Sequence, residues 1–344
     1  MISNEFITIA RDTAAFLQKV KNKCDAFDTR HPLSNDRIVF VESEKHDIFN
    51  HLDTYFGATW RLLQKLDMES YKEHQLFYQK KLISLLGSNI EINMHIYKKP
   101  FGYAGDFVTM NYIYDYNSGR YLGESSYAML INNYTCTIPF SRSNIARKDF
   151  FKEKILETIK EKVTPKILSV GSGPSREVLE LLKEKKINRP LTFTCLDFEK
   201  RALEYVRDEI TKIAAPKQCL SISFVEQDVF NLIDNQKIMN KLGENDLIYA
   251  SGLFDYLRRK TAKNLFSLLF SLLKGDGSLI VCNASMANDS HRAYIETLGE
   301  WYMIYRSEEE MLTWTERYTE DAAIFFEKPK ECPNYLFLNL KKNG

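Results

Sequence analysis

The sequence predicts an α/β fold in which a mainly parallel sheet, closed by a C-terminal β-hairpin, follows a helical N-terminal region. From Lys166 onward, short apolar runs alternate with helical patterns, as in successive βα units. Near the C-terminus, two strand-like runs follow one another across a loop of Lys, Pro and Cys, which indicates a hairpin. Alternating βα units that end in a hairpin predict a parallel sheet with an antiparallel strand added at its end.

The periodicity before residue 90 is helical. We predict three or four helices there, including one over 36–66 and one over 70–86 that closes at Gly87. The stretch 92–122 is dense in Gly, Tyr, Phe and Met, which predicts an ordered connector with functional loops. A helix is predicted over 143–162, with Ser143 or Asn144 as its N-cap.

The alternating region predicts five strands before the hairpin, with helices between them. The strands are expected at 167–170, 191–196, 221–225, 246–250 and 278–283, the helices near 175–186, 199–213, 260–273 and 307–318, and the hairpin strands at 322–327 and 336–340.

A glycine turn is the most informative feature of this region. The run that ends at Val170 stops at Gly171-Ser172-Gly173, a helical pattern begins at once, and the next apolar run ends on Asp197. Strand, glycine turn, helix, strand and acidic residue are the pattern of a site for an adenosine-containing cofactor. A dinucleotide site would have a third glycine three residues after Gly173, but Arg176 stands there. The turn therefore favours an adenosyl group over a pyrophosphate.

Composition excludes some classes of function. The 344 residues carry 47 Lys and Arg against 46 Asp and Glu, so no broad positive field is available for nucleic acid. The start shows no secretory signal and no apolar run reaches the ~20 residues of a membrane span, so we expect a cytoplasmic protein. The six cysteines include no CxxC pair, and the six histidines show no zinc spacing, so we expect no metal site and reduced core thiols at Cys195 and Cys282. The 22 Phe and 19 Tyr indicate either a large aromatic core or an apolar cavity.

The order of elements, the glycine turn and its acidic partner together resemble the class I S-adenosylmethionine-dependent methyltransferases, over about residues 140–344. The resemblance implies a Rossmann-like, seven-stranded sheet with S-adenosyl-L-methionine as cofactor. It also implies the roles of the cofactor-binding residues. Gly171, Ser172 and Gly173 would lie against the methionine moiety, Asp197 would hold the ribose hydroxyls beside Phe198, Asp228 and Val229 would contact the adenine, and Ser251 and Gly252 would lie where the methyl group meets its acceptor.

Two positions depart from the family pattern. Ser169 stands where an acidic residue is usual, and Ser175 where a third glycine is usual. The methionine ammonium group would then need another carboxylate, which Glu177 or Asp106 could supply.

Four segments carry a closer resemblance. They are KKPFGYAGDF at 98–107, LSVGSGPSREV at 168–178, ASGLFDYL at 250–257 and EWYMIYRSEEEM at 300–311. They are similar to a bacterial methyltransferase group associated with synthesis of 3-hydroxypalmitic acid methyl ester, a quorum-sensing signal. This resemblance implies a fatty-acid-like acceptor.

Methyl transfer is an in-line displacement that a carboxylate acceptor can undergo without a general base, whereas a hydroxyl or amine would more often need one. Tyr103 and His291 are the candidate catalytic residues, although His291 also fits a surface position. Arg292, Tyr305 and Arg306 follow the fifth strand and are the candidate acceptor contacts. Asp106 could instead cap the next helix, and a solvated helix face is expected for Arg147.

We therefore predict two domains. Residues 1–140 would form a helical lid or substrate region with its connector, in which Tyr103 and Asp106 face the cofactor, and residues 141–344 would form the methyltransferase domain. The favoured function is methylation of a small-molecule acceptor, on a carboxylate or another oxygen of a fatty-acid-like or natural-product compound. A protein or nucleic-acid methyltransferase and a cofactor-binding regulatory protein without turnover are the alternatives, and a homodimer is left open.

Overall fold

The chain forms two compact units in this computed structural model, which describes residues 1–117, 122–213, 219–232, 235–286 and 291–344. The first unit comprises Met1–Arg142 together with a later segment whose described residues are 291–302. The second unit comprises the rest of the described chain. The later segment of the first unit was not predicted from the sequence.

The first unit is helical because its apolar residues recur at helical spacing. On the first helix, six residues three or four positions apart are buried, from Phe6 to Cys24, and Ser3 caps its N-terminus by accepting from the Phe6 N–H. The third helix ends at Gly87, as predicted. The helices are α1 Asn4–Arg30, α2 Ser34–Leu63, α3 Met68–Leu86, α4 Glu91–Lys98, α5 Phe107–Asn117 and α6 Ser126–Thr137.

The predicted connector over 92–122 is ordered and mostly helical in its described part, and these helices were not predicted; residues 118–121 lie outside the described chain. Helices α4 and α5 occupy it, and the glycine-rich turn between them is what remains irregular. Lys99, with φ +46°, ends α4 in the left-handed conformation. The aromatic and β-branched residues have modest helix propensity, but burial of Phe107, Met110 and Ile113 outweighs it.

The return segment 291–302 contains one turn of π-helix, Ala293–Leu298. Its apolar side chains Tyr294, Ile295, Leu298 and Trp301 are buried and line a cavity of about 30 Å³ within the first unit. Such a volume admits about one water molecule and is too small for an acyl chain. The aromatic residues that line this cavity therefore pack as core.

The second unit is built on a seven-stranded sheet in the order β3-β2-β1-β4-β5-β7-β6. Strands β1 to β5 are parallel, and β7 is antiparallel to both β5 and β6, which confirms the predicted parallel sheet with a closing hairpin. The strands are β1 Lys166–Val170, β2 Leu191–Asp197, β3 Leu220–Glu226, β4 Asn245–Ala250, β5 Leu273–Ala284, β6 Ala322–Glu327 and β7 Tyr335–Lys342.

The helices of the second unit agree with the predicted alternation, with three differences. Two short helices between β3 and β4, at Val229–Leu232 and Gln236–Leu242, were not predicted. The helix predicted to begin at Ser143 begins at Pro139, and the helix predicted over 307–318 is a short helix followed by a separate 3₁₀ turn at Glu316–Tyr318. The helices are α7 Pro139–Glu161, α8 Arg176–Lys183, α9 Lys200–Lys212, α10 Val229–Leu232, α11 Gln236–Leu242, α12 Arg259–Ser271 and α13 Glu308–Leu312.

The six cysteines are free thiols, and Cys195 and Cys282 are buried in the second unit as predicted. Within the described ranges, no group of His, Cys, Asp and Glu side chains could hold a metal ion. No helix in the part of the chain that the structure describes is long and apolar enough to cross a bilayer.

Candidate cofactor site

The candidate site lies at the carboxyl ends of the central strands of the second unit. Strand β1 pairs with β2 on one side and with β4 on the other, so the chain adds β2 and β3 on one side of β1 and then crosses back to add β4 on the other. In an open parallel sheet, such a switch point leaves a crevice where ligands bind. The predicted residues of the glycine turn, of the β2 and β3 ends and of the loop after β4 follow these strands.

The glycine turn has the backbone that its glycines allow. Gly171 has φ +65° and Gly173 φ +50°, and the N–H groups of Gly171 and Ser172 donate to the Leu196 carbonyl at 2.9 and 3.1 Å. A Cβ on Gly171 would approach the Leu253 Cβ to 3.1 Å, whereas a Cβ on Gly173 would meet no atom within 4 Å. Gly171 is therefore packed against protein, and Gly173 presents open backbone to which a ligand can come close.

Ser175 stands at the position of the missing third glycine and adopts a left-handed conformation, with φ +43° and ψ +41°. Its hydroxyl lies 3.4 Å from both the Ser172 carbonyl oxygen and the Cys195 Sγ. The turn thus keeps a conformation that glycine adopts at no steric cost, in a residue with a side chain. Serine in place of glycine at this position therefore does not change the backbone conformation that the turn needs.

Asp197 joins the end of β2 to the glycine turn. Its Oδ2 accepts from the Gly173 N–H at 2.8 Å, and its Oδ1 accepts from the Glu199 N–H at 2.9 Å. Burial raises the pKa of this carboxyl above its ordinary value, and the two backbone N–H groups oppose the shift. Each carboxylate oxygen can accept a second hydrogen bond, so a vicinal diol could still bind here. Phe198, the next residue, is 52% exposed although it is large and apolar.

Asp228 follows the neighbouring strand β3. Its Oδ1 caps α10 by accepting from the Phe230 N–H at 2.9 Å, and the side chain is half-buried. Val229 is buried. Asp197 is the register partner of Glu226 across β2 and β3. Asp228 comes two residues after Glu226, so it lies at the same edge of the sheet as Asp197.

Glu177 lies in the first turn of α8, directly after the glycine turn, and is 8% exposed. It accepts a hydrogen bond from the hydroxyl of Tyr249, a residue of β4 whose register partner on β1 is Ser169. Burial raises the pKa of Glu177, while the bond from Tyr249 opposes the shift. The sequence did not single out Tyr249, whose apolar strand suggests nothing beyond core packing.

The loop after β4 is held by buried charged residues. Ser251 and Gly252 are half-buried, and Asp255 is 2% exposed with its Oδ1 accepting from the Ala284 N–H. Arg306 is fully buried and donates to the carbonyls of Phe254 and Leu257. Its guanidinium is thus occupied by the loop itself, and its predicted contact with an acceptor stays a prediction.

Arg147 corrects an expectation. The sequence favoured a solvated helix face, but the side chain is only 6% exposed; its guanidinium lies 3.8 Å from Asp255 and over the Tyr335 ring at 4.4 Å. A Cβ on Gly252 would come within 3.0 Å of its Nη1, so the cation packs on the backbone after β4. The helical spacing of the sequence could have predicted this burial, because Arg147 falls on the same face of α7 as other buried residues. That face consists of Phe140, Asn144, Arg147, Phe151 and Ile155.

Four predicted residues belong to the first unit. Asp106 is fully buried, caps α5 through the N–H groups of Val108 and Thr109, and contacts the His95 Nε2 at 2.8 Å. The capping interpretation of Asp106 is therefore what its contacts show, and Tyr103 lies half-buried in the same turn. His95 was missed because only the fold brings it to Asp106, and no motif links the two.

The return segment carries the other two, His291 and Arg292. His291 is 3% exposed, so a surface position is wrong for it, and its Nε2 lies 3.1 Å from the Asp53 Oδ1. Arg292 donates to Glu296 at 2.7 Å and stacks over the Trp60 ring. Tyr305 lies half-buried in the second unit. The catalytic and acceptor-binding roles assigned to all of these residues stay predictions.

Comparisons with known proteins give a likeness of fold. No protein-family model and no curated protein matches the sequence. A crystal structure of a possible exported protein from Bordetella parapertussis is similar over 76% of this chain and 88% of its own, with 14% identity and a TM-score of 0.57.

Weaker likenesses include two named methyltransferases. The N-methyltransferase NodS from Bradyrhizobium japonicum, in complex with S-adenosyl-L-homocysteine, has 14% identity and a TM-score of 0.40 over 60% of this chain and 90% of its own. Magnesium protoporphyrin IX methyltransferase from Synechocystis, with bound S-adenosylmethionine, has 10% identity and a TM-score of 0.41 over 59% and 84%. With its strand order and antiparallel seventh strand, the second unit has the class I methyltransferase, Rossmann-like fold.

Proposed function

We propose that this chain is an S-adenosylmethionine-dependent methyltransferase that acts on a small-molecule acceptor, through a carboxylate or another oxygen. The observation that carries the proposal is the glycine turn at the switch point of the sheet. Gly173 presents open backbone, Asp197 binds the Gly173 N–H while keeping acceptor capacity, and the exposed ring of Phe198 follows. These groups fit an adenosyl ligand: hydroxyls for the carboxylate and a flat apolar base for the ring.

Arg176 supports the adenosyl assignment over a dinucleotide. The helix that follows the turn begins at this residue, where a dinucleotide site has a glycine that lets the helix pack closely. S-adenosylmethionine has no phosphate, so it does not need a helix N-terminus free of side chains to bind one.

In this reaction the protein mainly has to position the cofactor and the acceptor. When bound, the cofactor supplies a methyl group on a sulfonium; the acceptor oxygen forms a bond to that carbon as the carbon–sulfur bond breaks, and the electron pair stays on sulfur. A carboxylate acceptor loses no proton, so the residues around Ser251 and Gly252 would mainly orient the acceptor and exclude water. Asp255, Arg147 and Arg306 would keep that loop in one conformation.

The acyl character of the acceptor is supported by the resemblance of the four segments alone. The near-neutral net charge of +1 further favours a small molecule over nucleic acid. The cytoplasmic location, the homodimer and the quorum-sensing role stay predictions.

A transfer assay with fractionated products tests the proposal. The purified chain is incubated with methyl-tritiated S-adenosylmethionine and a bacterial extract, and label is counted in the solvent-soluble, protein and nucleic-acid fractions. We expect label in the solvent-soluble fraction, released as volatile methanol by mild base if the acceptor is a carboxylate. Label in protein or nucleic acid would support the corresponding alternative. No label in any fraction, from a chain that binds the cofactor, would support a regulatory protein without turnover.

A further inference from the structure

A buried carboxylate at the base of the glycine turn points away from the turn toward β4. Glu177 lies two residues after Ser175, the last residue of the turn. Its side chain reaches Tyr249 on β4, and Tyr249 pairs with Ser169 on β1. The carboxylate therefore lies over the two strands that flank the switch point. Asp197, the other buried carboxylate beside the turn, uses both oxygens to bind backbone N–H groups.

The charge on Glu177 is poorly compensated within the described chain. Its hydrogen bonds come from the neutral phenol of Tyr249 and from its own backbone N–H. Lys148 is a cation that acts on it, but the Lys148 ammonium is bound by Glu180, at 2.7 and 2.8 Å, and by Asp149 at 2.7 Å. A buried carboxylate that lacks a cationic partner is costly, and a cation that binds beside it removes much of that cost.

We propose that Glu177, oriented by Tyr249, binds the ammonium group of the cofactor's methionine moiety. The assignment rests on the proposed function, because it is S-adenosylmethionine that brings an ammonium group to this turn. Tyr249 is a positioning residue: its hydroxyl occupies one carboxylate oxygen and leaves the other for the ligand. Asp106, the other carboxylate considered from the sequence, already binds His95 and two N–H groups that cap α5.

Two stable ligands separate this contact from the rest of the site. S-adenosylhomocysteine carries the ammonium and carboxylate groups, whereas 5′-methylthioadenosine has the same adenosine and thioether without them. The Glu177→Gln variant keeps the shape of the side chain and an acceptor for the Tyr249 hydroxyl. By calorimetry on the full chain, we expect this variant to bind S-adenosylhomocysteine at least about 10-fold more weakly and methylthioadenosine within about 2-fold of the parent.

Two further variants sharpen the comparison. Tyr249→Phe removes the orienting hydroxyl, so it should weaken S-adenosylhomocysteine binding by less than Glu177→Gln does and spare methylthioadenosine. Glu184→Gln is the matched control, because this carboxylate lies at the far end of the same helix and binds Lys152 instead. It should leave the ratio of the two affinities unchanged, even where thermal melting shows a loss of stability.

Each outcome of these titrations supports or overturns the assignment of Glu177. Equal losses for both ligands in Glu177→Gln would mean that the residue supports the turn and does not bind the ammonium, and unchanged affinity for both would also overturn the assignment. Failure of the parent chain to bind either ligand would overturn the proposed function, and this assignment with it.

Discussion

Asp197 is the residue on which the candidate site depends most. Its carboxylate accepts from Gly173 and from Glu199, so it shapes the turn as well as offering an acceptor to a ligand. The sequence predicted its position, because an acidic residue follows the second apolar run. It could not predict the bond to Gly173, which exists only because the glycine turn brings that N–H to the end of β2.

We expect Asp197→Ala to weaken binding of S-adenosylmethionine by about 1–3 kcal/mol, since the ribose hydroxyls lose their acceptor. The two N–H groups that it leaves should also lower the free energy of unfolding by a similar amount. Glu199→Ala is the control: Glu199 accepts from the Arg201 N–H at 3.0 Å and caps α9, but has no predicted ligand contact. Calorimetry and urea unfolding check both. Equal losses of affinity in the two variants would contradict a ribose contact at Asp197.

Asp255 should make the stability of the chain depend on pH. Burial raises its pKa from 3.8 to about 6, although Arg147, the Ala284 N–H and Arg306 oppose the shift. A raised pKa in the folded state means that its stabilisation is fully present below about pH 4 and is lost as the pH rises through about 6. Asn keeps an oxygen for the Ala284 N–H and does not titrate.

We therefore expect the stability of the parent chain to fall, relative to Asp255→Asn, by roughly 2–3 kcal/mol between pH 4 and pH 7. Urea unfolding of both proteins across that range measures the difference. Parallel pH profiles would show that Asp255 has no raised pKa in the folded chain.

At the scale of elements, the strands were predictable and the irregular segments were not. The central strands β1 and β4 follow apolar runs that the parallel sheet buries on both faces, whereas β3 alternates buried or half-buried residues with exposed ones. Both patterns are visible in the sequence, so β1 to β5 were predicted within a few residues of their ends. The helices α4 and α5 were not predicted within the connector because aromatic residues and glycines mask their periodicity; burial of their apolar side chains stabilises the helices. The loop after β4 depends on contacts from Arg306, which lies far along the chain and whose burial nothing local indicates.

Arg306→Lys should destabilise the chain by about 3–5 kcal/mol, because one ammonium cannot replace the donors that reach Phe254, Leu257, Asn283 and Glu310. Arg317→Lys, at an exposed position on the turn after α13, should change stability by less than about 0.5 kcal/mol. Chemical unfolding measures both. If Arg306→Lys leaves stability unchanged and lowers only turnover, the residue serves the acceptor, as first predicted, and does not hold the loop.

At the scale of the whole molecule, the division of the chain differs from a simple cut near residue 140. Residues 291–302 depart from the second unit and belong to the first. The residues that flank this segment pair with each other through their backbones. Ser285 and Arg306 form a β-bridge, and the Arg306 N–H donates to the Ala284 carbonyl at 3.0 Å. The sequence shows this excursion only as an unusually long connection before the last helix, without indicating where it packs.

A fragment of residues 141–344 should therefore self-associate and bind a hydrophobic dye. Tyr294, Ile295, Leu298 and Trp301, at most 8% exposed in the full chain, would lose the first-unit residues that line their cavity. The control is the same fragment with 287–303 replaced by a short Gly/Ser linker, which the pairing of Ser285 with Arg306 permits; it should stay monomeric. Light scattering and dye fluorescence measure both, and identical behaviour of the two fragments would contradict this account.

The central claim is that the glycine turn binds S-adenosylmethionine, and calorimetric titration of the full chain tests it most directly. We expect S-adenosylmethionine and S-adenosylhomocysteine to bind competitively at one site per chain, with that binding weakened by Asp197→Ala, and NADH to show no binding at the same concentrations. Binding of NADH that neither adenosyl ligand displaces, or the absence of any adenosyl binding by a chain that melts cooperatively, would contradict the claim.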